Sequence, residues 1–198
     1  MAAPPDSWVT LGDRAIRFVR PPVPARALVR AIRAWPGVVD VVVARHDVAA
    51  YFDREPVIDA GQIAALARLH DDDHAAREIT IRVRYDGPDL DDVARAAHLS
   101  IDEVCRLHAA TTYVVDTIGF APGFAYLTGL DPRLHLRRRA TPRPRVPAGS
   151  VAIAGEYTAV YPFDSPGGWH LIGRIIEARM FDERGALLQL GDHVRFSS

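Results

Sequence analysis

The hydrophobic periodicity of the chain changes once along its length, and this change constrains the fold more than any other feature. Up to about residue 85 the pattern alternates between strand-like and helix-like segments in the order β-α-β-β-α-β. The segments are RAIRFV, PARALVRAIRAW, VVDVVVA, VAAYFD, DAGQIAALARLH and EITIRVRY. This order is the split βαβ unit of ferredoxin-like folds. We therefore predict an α+β domain of ferredoxin-like type over residues 1–85, with EITIRVRY as its fourth strand.

The second part of the chain begins with two predicted helices and continues in short strands. Asp89 is expected to cap the helix LDDVARAA, and Ser100 with Glu103 forms a capping box for IDEVCRLHAA. Beyond Tyr113, short apolar runs are separated by Gly and Pro, a pattern typical of a compact β-barrel or sandwich. The second domain is therefore predicted over residues 86–198, as a helical pair leading into a barrel.

Composition excludes several classes of function. The 198 residues carry a net charge of −1, so no global electrostatic attraction to nucleic acid or to an anionic membrane is expected. No apolar run approaches the length of a membrane span, and the start of the chain does not resemble a signal peptide. The single Cys105 cannot form an internal disulfide and suits a reducing compartment. We therefore expect a cytoplasmic protein.

All 24 basic residues are arginine. A Walker A loop, a Schiff-base site and a biotin attachment site each need a lysine, so this chain supplies none of them. Any phosphate or carboxylate that it binds must be held by arginine side chains, backbone N–H groups or a helix N-terminus.

Two clusters suggest sites but have simpler explanations. HDDDH at residues 70–74 contains metal-ligand side chains, but its position between a helix and a strand favours a solvated acidic loop, and no metal site is predicted. Cys105 and His108 are three residues apart, although the stripe they share favours a core position for the thiol. An imidazole on that apolar face needs a hydrogen-bond partner.

A basic, proline-broken segment, RRRATPRPR at residues 137–145, has two equally supported interpretations. In one it is a solvated loop tied to neighbouring carboxylates, and in the other it is an anion clamp. For the clamp, Arg143 and Arg145 are the candidates, because the block that follows them ties that end to the barrel. Arg138 is expected to lie further out. We call residues 137–145 the arginine loop.

Two glycine-rich segments each carry an aromatic residue, GFAPGF at residues 119–124 and SPGGW at residues 165–169. Both are compatible with tight turns at barrel corners. Both are equally compatible with a ligand site, in which glycine lets the backbone approach a ligand and Phe124 and Trp169 wall a pocket.

Several long blocks, taken together and in this order, resemble the family of the 5-oxoprolinase B subunit. The blocks are LHAATTYVVDTIGFAPGFAYL, TPRPRVPAGSVAIAG, YPFDSPGGWHLIGR and LGDHVRF, and the likeness extends through LGDRAIRF and YDGPDLDDVA. The family also contains proteins labelled allophanate hydrolase subunit 1 and the sporulation kinase A inhibitor. The resemblance implies a ferredoxin-like domain followed by a cyclophilin-like β-barrel. The chain departs from the family pattern near the expected pocket, with Ile175-Ile176 in place of Thr-Pro and Tyr157 in place of a common glutamine.

The resemblance also implies an activity that depends on other chains. The family acts with the 5-oxoprolinase C subunit, which is similar to allophanate hydrolase subunit 2 and which we call the partner subunit. With this partner and a third subunit, the family cleaves 5-oxoproline to glutamate at the expense of ATP, and Mg²⁺ is expected with the nucleotide. The alternatives are half of a biotin-dependent carboxyltransferase, as in urea carboxylase, and a histidine-kinase inhibitor without catalytic activity.

The site expected from the resemblance combines the glycine-rich segments with arginine side chains. We expect Gly123, Phe124, Ser165, Gly167, Gly168 and Trp169 to shape the pocket. Arg143, Arg145 and Arg174 are expected to neutralise a carboxylate or phosphate, and His108 or Tyr113 to orient these groups.

Overall fold

Two helices and four strands make up the N-terminal part of the chain, in a computed structural model that describes residues 8–70 and 76–198. The chain divides into two units, residues 1–75 and 76–198. The elements of the first unit are β1 Trp8–Thr10, β2 Ala15–Val19, α1 Ala25–Arg33, β3 Val38–Val43, β4 Asp47–Phe52 and α2 Ala60–Leu66.

Alternation and capping explain these elements. The strands form one antiparallel sheet in the order β1-β2-β4-β3, with the predicted hairpin between β3 and β4. In β2, Ile16 and Phe18 point to the buried side, and in α1 Leu28 and Ile32 lie one turn apart and are fully buried. Asp59 forms a reciprocal capping box at the start of α2.

The second unit contains the remaining helices and strands among the described residues. They are β5 Glu78–Arg84, α3 Leu90–Ala97, α4 Ile101–Ala110, β6 Thr112–Ile118, β7 Ala125–Thr128, a 3-10 helix Pro132–Leu134, β8 Arg143–Val146, β9 Ser150–Ala154, β10 Tyr157–Val160, β11 Ser165–Gly167, β12 His170–Ile175, β13 Phe181–Asp182, β14 Gly185–Ala186 and β15 His193–Ser197.

Seven of these strands close into a barrel in the order β10-β7-β6-β15-β5-β12-β9. The pairs β8–β11 and β13–β14 form two separate two-stranded sheets. The Ser100–Glu103 capping box at the start of α4 is present as predicted. The predicted α+β fold with a C-terminal barrel is thus confirmed. Within the described residues, no helix is long and apolar enough to cross a membrane.

One strand belongs to a different sheet from the one expected. EITIRVRY forms β5, but β5 pairs in parallel with β15 over five consecutive residues and antiparallel with β12. It is therefore a barrel strand, and the chain divides at residue 75 and not near residue 85. The alternation that buries Ile81 and Val83 suits any half-buried sheet, so the pattern alone could not identify the partner strands.

Candidate functional site

The two glycine-rich segments meet in the barrel unit. Phe124, from the first segment, and Trp169, from the second, pack edge to face with ring centroids 5.7 Å apart. Both side chains are almost fully buried, in one apolar cluster with Tyr157 and Tyr161. The structure thus brings together two segments that are about 45 residues apart in the sequence.

A cavity of about 100 Å³ opens beside these two rings. We call it the aromatic pocket. The pocket is lined by Phe124 and Trp169, by four further side chains and by the three residues that precede Trp169. The lining residues are Phe120, Phe124, Tyr126, Arg138, Tyr161, Pro166, Gly167, Gly168 and Trp169.

The aromatic walls of the pocket are uncharged at neutral pH. Burial raises the pKa of the hydroxyl groups of Tyr126 and Tyr161, and the nearby guanidinium of Arg138 only partly offsets this effect. Phe120 has a φ of 73°, an uncommon conformation for a bulky residue. Strain of this kind is frequently retained at functional sites.

Two of the glycines are required by close packing. A Cβ on Gly167 would collide with the hydroxyl of Tyr161. A Cβ on Gly123, whose φ is +77°, would lie 2.8 Å from the carbonyl oxygen of Met180. Gly168 differs, because its Cβ would be 3.7 Å from the nearest atom, on Pro142, which is an ordinary contact.

Arg138 supplies the positive charge of the pocket. Its Cζ atom lies 6.0 Å from the centroid of the Trp169 ring, within the range of a cation–π contact. Within residues 8–70 and 76–198 it forms no ion pair with a carboxylate. Arg138 is more exposed than Arg143, as expected, yet Arg138 and not Arg143 lines the pocket. Nothing in the spacing of the arginine loop distinguishes Arg138 from its neighbours, so the sequence offered no signal for this assignment.

Asp89 is buried and binds two side chains of the arginine loop. Its buried Oδ1 accepts hydrogen bonds from Nη1 of Arg139 and Nη2 of Arg143, both at 2.6 Å. Its Oδ2 accepts the backbone N–H of Leu171 at 2.7 Å. Burial by itself would raise the pKa of Asp89, but the hydrogen bonds from Arg143 and Leu171 and the charges of both arginines together hold it below its ordinary value.

Asp89 therefore does not act as the predicted helix cap. It stands directly before α3, but its side chain makes no capping hydrogen bond. The carboxylate faces residues 50 to 82 positions further along the chain, and a local sequence pattern contains no information about such partners.

The other arginines expected at the site are paired with carboxylates. Arg143 is bound to Asp89, and Nε of Arg145 donates to Asp164 at 2.8 Å. Arg174 pairs with Asp86 at 2.8 Å. None of these three arginines lines the aromatic pocket. The interpretation of the arginine loop as tied to carboxylates thus describes Arg143 and Arg145.

Ser165 lies at the start of β11, and its hydroxyl is buried without a hydrogen-bond partner in the described part of the chain. It does not line the pocket either.

His108 and Tyr113 lie in the barrel core and not at the pocket. His108 is fully buried, and its ring nitrogens are 2.8 Å from the hydroxyls of Tyr85 and Thr158. The Tyr113 hydroxyl donates to the backbone carbonyl of His108. Burial lowers the pKa of His108 from 6.5 to about 3 and raises that of Tyr113. In this structure neither side chain is placed to orient a ligand in the aromatic pocket.

Cys105 packs at the edge of the same core, partly buried, as the simpler interpretation expected. Burial raises the pKa of its thiol, which is unfavourable for a nucleophile. The HDDDH segment, apart from His70, lies outside the described residues. In the part of the chain that is described, no three His, Cys, Asp or Glu side chains are grouped to hold a metal ion.

The two departures from the family pattern lie in different places. The Tyr157 ring contacts that of Tyr126, a pocket-lining residue, at a centroid distance of 5.7 Å. Ile175 packs against the barrel core and lies under Gly149. Tyr157 thus packs behind the pocket wall, in contact with a residue that lines the pocket. Neither Ile175 nor Ile176 lines the pocket.

The chain matches known proteins over most of its length. The family model described as carboxyltransferase domain, subdomain C and D, matches residues 20–188. A Haemophilus influenzae protein, named as the B subunit of 5-oxoprolinase, is 40% identical, over 86% of this chain and 84% of that protein. A Bacillus subtilis protein of the same name is 45% identical, over 66% of this chain and 57% of that protein.

The fold is also similar to solved structures. The crystal structure of TTHA0988 matches with a TM-score of 0.74 and 38% sequence identity. The match covers 93% of this chain but 39% of TTHA0988, so this chain spans well under half the length of that protein.

Proposed function

Because this chain belongs to the family of the 5-oxoprolinase B subunit, we propose that it is one component of an ATP-dependent 5-oxoprolinase. The reaction converts 5-oxo-L-proline, ATP and water to L-glutamate, ADP and phosphate. The observation that supports a small-molecule site in this chain is the aromatic pocket, with its uncharged walls and one arginine. Its volume of about 100 Å³ is well below that of sites for drug-sized ligands, and it suits a small metabolite.

The pocket residues would bind and orient the substrate. A lactam amide resists hydrolysis, and ATP supplies the phosphoryl group that makes its carbonyl oxygen part of a leaving group. The rings of Phe124 and Trp169 offer apolar faces for a flat five-membered ring. Gly167 and Gly168 line the pocket and carry no side chains, so a ligand there would meet their backbone directly.

ATP would be bound elsewhere than in the aromatic pocket. The cavity is far smaller than a nucleotide, and the chain has no lysine with which to build a P-loop. We propose that the nucleotide and its Mg²⁺ are held by the partner subunit or shared with it, in a cytoplasmic complex.

Co-expression with the partner subunit tests this function. We expect 5-oxoproline to stimulate ATP hydrolysis by the complex with the third subunit present, and we expect no such stimulation for the purified chain alone. The matched control is the same complex with a Trp169→Ala chain, after a pull-down has shown that the subunits still associate. Strong 5-oxoproline-dependent ATP hydrolysis by the isolated chain would contradict the dependence on the partner subunit.

A second candidate is half of a carboxyltransferase, which the description of the matching family model favours. Such an enzyme needs a biotin carrier on another chain, because this one has no lysine to carry biotin. Transfer of labelled carboxyl groups from carboxybiotin by the complex, without any response of ATP hydrolysis to 5-oxoproline, would favour this candidate over the first.

A further inference from the structure

Arg138 is the one member of a crowded arginine segment whose charge is directed at the aromatic pocket. Its neighbours Arg139 and Arg143 share the buried carboxylate of Asp89. Arg138 instead lies against the pocket wall at Trp169. The charges on this face are thus divided between internal pairs and one cation that faces the pocket.

The backbone on both sides of Arg138 is tied to the residues that flank Trp169. The Arg137 carbonyl accepts a hydrogen bond from Nε2 of His170 at 2.8 Å. The Arg139 N–H donates to the carbonyl of Gly168, also at 2.8 Å. Since the chain is bound at positions 137 and 139, the backbone of Arg138 is fixed beside the pocket before any ligand arrives, which reduces the entropy cost of binding.

The pocket contains no acidic side chain to compensate this charge. Its other side chains are aromatic apart from Pro166, and the raised pKa values of Tyr126 and Tyr161 keep their hydroxyls neutral. A guanidinium beside apolar walls favours a planar anion, which it can bind through two parallel hydrogen bonds.

We infer that Arg138 binds the carboxylate of the substrate, and that the aromatic pocket selects small, flat molecules with a single negative charge. The inference rests on the proposed function, because that function supplies a carboxylic acid with a flat ring. Arg138 and not Arg143 is then the residue that distinguishes the acid from a neutral analogue.

The test compares 5-oxoproline with its carboxamide, which has the same ring and no charge. Binding of both compounds to the complex with the partner subunit is measured by titration calorimetry, for the wild type, Arg138→Ala and Arg138→Lys. Arg137→Ala is the control, because Arg137 is also exposed and does not line the pocket. A melting curve of each complex shows whether the fold is retained.

We expect the wild type to bind the acid more tightly than the carboxamide, and Arg138→Ala to weaken binding of the acid by about ten- to a hundredfold. Binding of the carboxamide should change little, so that the preference disappears. Arg138→Lys should restore part of the preference, and Arg137→Ala should keep all of it. In the ATP hydrolysis assay, Arg138→Ala should raise KM for 5-oxoproline far more than it lowers kcat.

The results separate this inference from the proposed function. Failure of 5-oxoproline to stimulate ATP hydrolysis in the wild-type complex would overturn the proposed function. The inference about Arg138 is overturned if the wild-type complex does not prefer the acid, or if Arg138→Ala keeps that preference. An equal loss of preference in Arg137→Ala would also overturn it.

Discussion

Gly167 and Gly168 are neighbours in the sequence with different surroundings. At Gly167 the hydroxyl of Tyr161 occupies the space that a Cβ would need, whereas at Gly168 the nearest atoms are at ordinary contact distance. The φ angle of Gly168 also lies outside the left-handed region. The first glycine is therefore required by the packing of the pocket wall, and the second is not.

This difference makes the two glycines a matched pair for mutation. We expect Gly167→Ala to destabilise the barrel by about 1–3 kcal/mol through overpacking. The melting temperature should fall by about 2–4 °C for each kcal/mol. Gly168→Ala should melt close to the wild type and still bind the partner subunit. Its KM for the substrate should also stay close to the wild-type value, because the new methyl group would face Pro142 and the carbonyl of Arg139, neither of which lines the pocket.

Melting curves and substrate-dependent ATP hydrolysis of both variants check this prediction. A clearly raised KM in Gly168→Ala would contradict this expectation and would show that the ligand reaches the side of the backbone that faces Pro142. Trp169→Ala is a less direct test of ligand contact, because the indole is 4% exposed and its truncation should cost about 3–5 kcal/mol of folding stability by itself.

At the scale of elements, His108 connects helix α4 to strand β10 and to the residue that follows β5. The Thr158 hydroxyl donates to the carbonyl of Ala152, so it accepts a hydrogen bond from Nε2–H of His108. Nδ1 of His108 is then the acceptor for the Tyr85 hydroxyl. This arrangement satisfies a neutral imidazole, and burial disfavours the charged form.

The barrel should therefore lose stability as the pH falls. The pKa of His108 is about 3 in the folded protein and about 6.5 when unfolded, so the unfolded chain binds the extra proton more readily. The stability that this group provides is complete above about pH 6.5 and declines as the pH falls towards 3. Between pH 7 and pH 5 the loss should be about 2 kcal/mol.

Urea unfolding at the two pH values measures this loss. Trp169 reports on the barrel unit when Trp8 and Trp35 are replaced by phenylalanine, because these are the three tryptophans of the chain. His108→Gln should be less stable at pH 7 but lose about 2 kcal/mol less on acidification. His46→Gln, at an exposed position, is the control. An unchanged pH dependence in His108→Gln would show that His108 does not cause the effect.

At the scale of the whole molecule, β5 decides where the chain can be divided. It lies between β15 and β12 in the closed barrel and contributes Ile81 and Val83 to the core. Without it the barrel would have two unpaired edges and an open core.

Two truncated chains should therefore behave differently. We expect residues 76–198 to fold, with a cooperative melting transition and a buried Trp169. Residues 86–198, which correspond to the boundary predicted from the sequence, should fail to fold or should aggregate. Circular dichroism and Trp169 fluorescence distinguish the two outcomes. A cooperative transition for residues 86–198 would show that β5 is dispensable.

Local features of the fold could be predicted because their causes lie within a few residues. The capping boxes at Asp59 and Ser100, the β3–β4 hairpin and the helices α3 and α4 all depend on neighbours in the sequence. The resemblance to a known family was equally accessible, because it rests on the order of residues along the chain. Phe124 and Trp169 could be selected as pocket candidates because glycine beside an aromatic residue is a local pattern that is compatible with a ligand site.

The tertiary structure alone determined which partner each of these residues meets. Alternation fixed which face of β5 is buried, but hydrogen bonds to β15 and β12 fixed its sheet. Asp89 has the sequence context of a helix cap and forms instead a buried ion pair with Arg139 and Arg143. That pairing engages two arginines and leaves Arg138 at the pocket. The charge of an arginine is known from the sequence, but the group that it binds depends on contacts between residues distant along the chain.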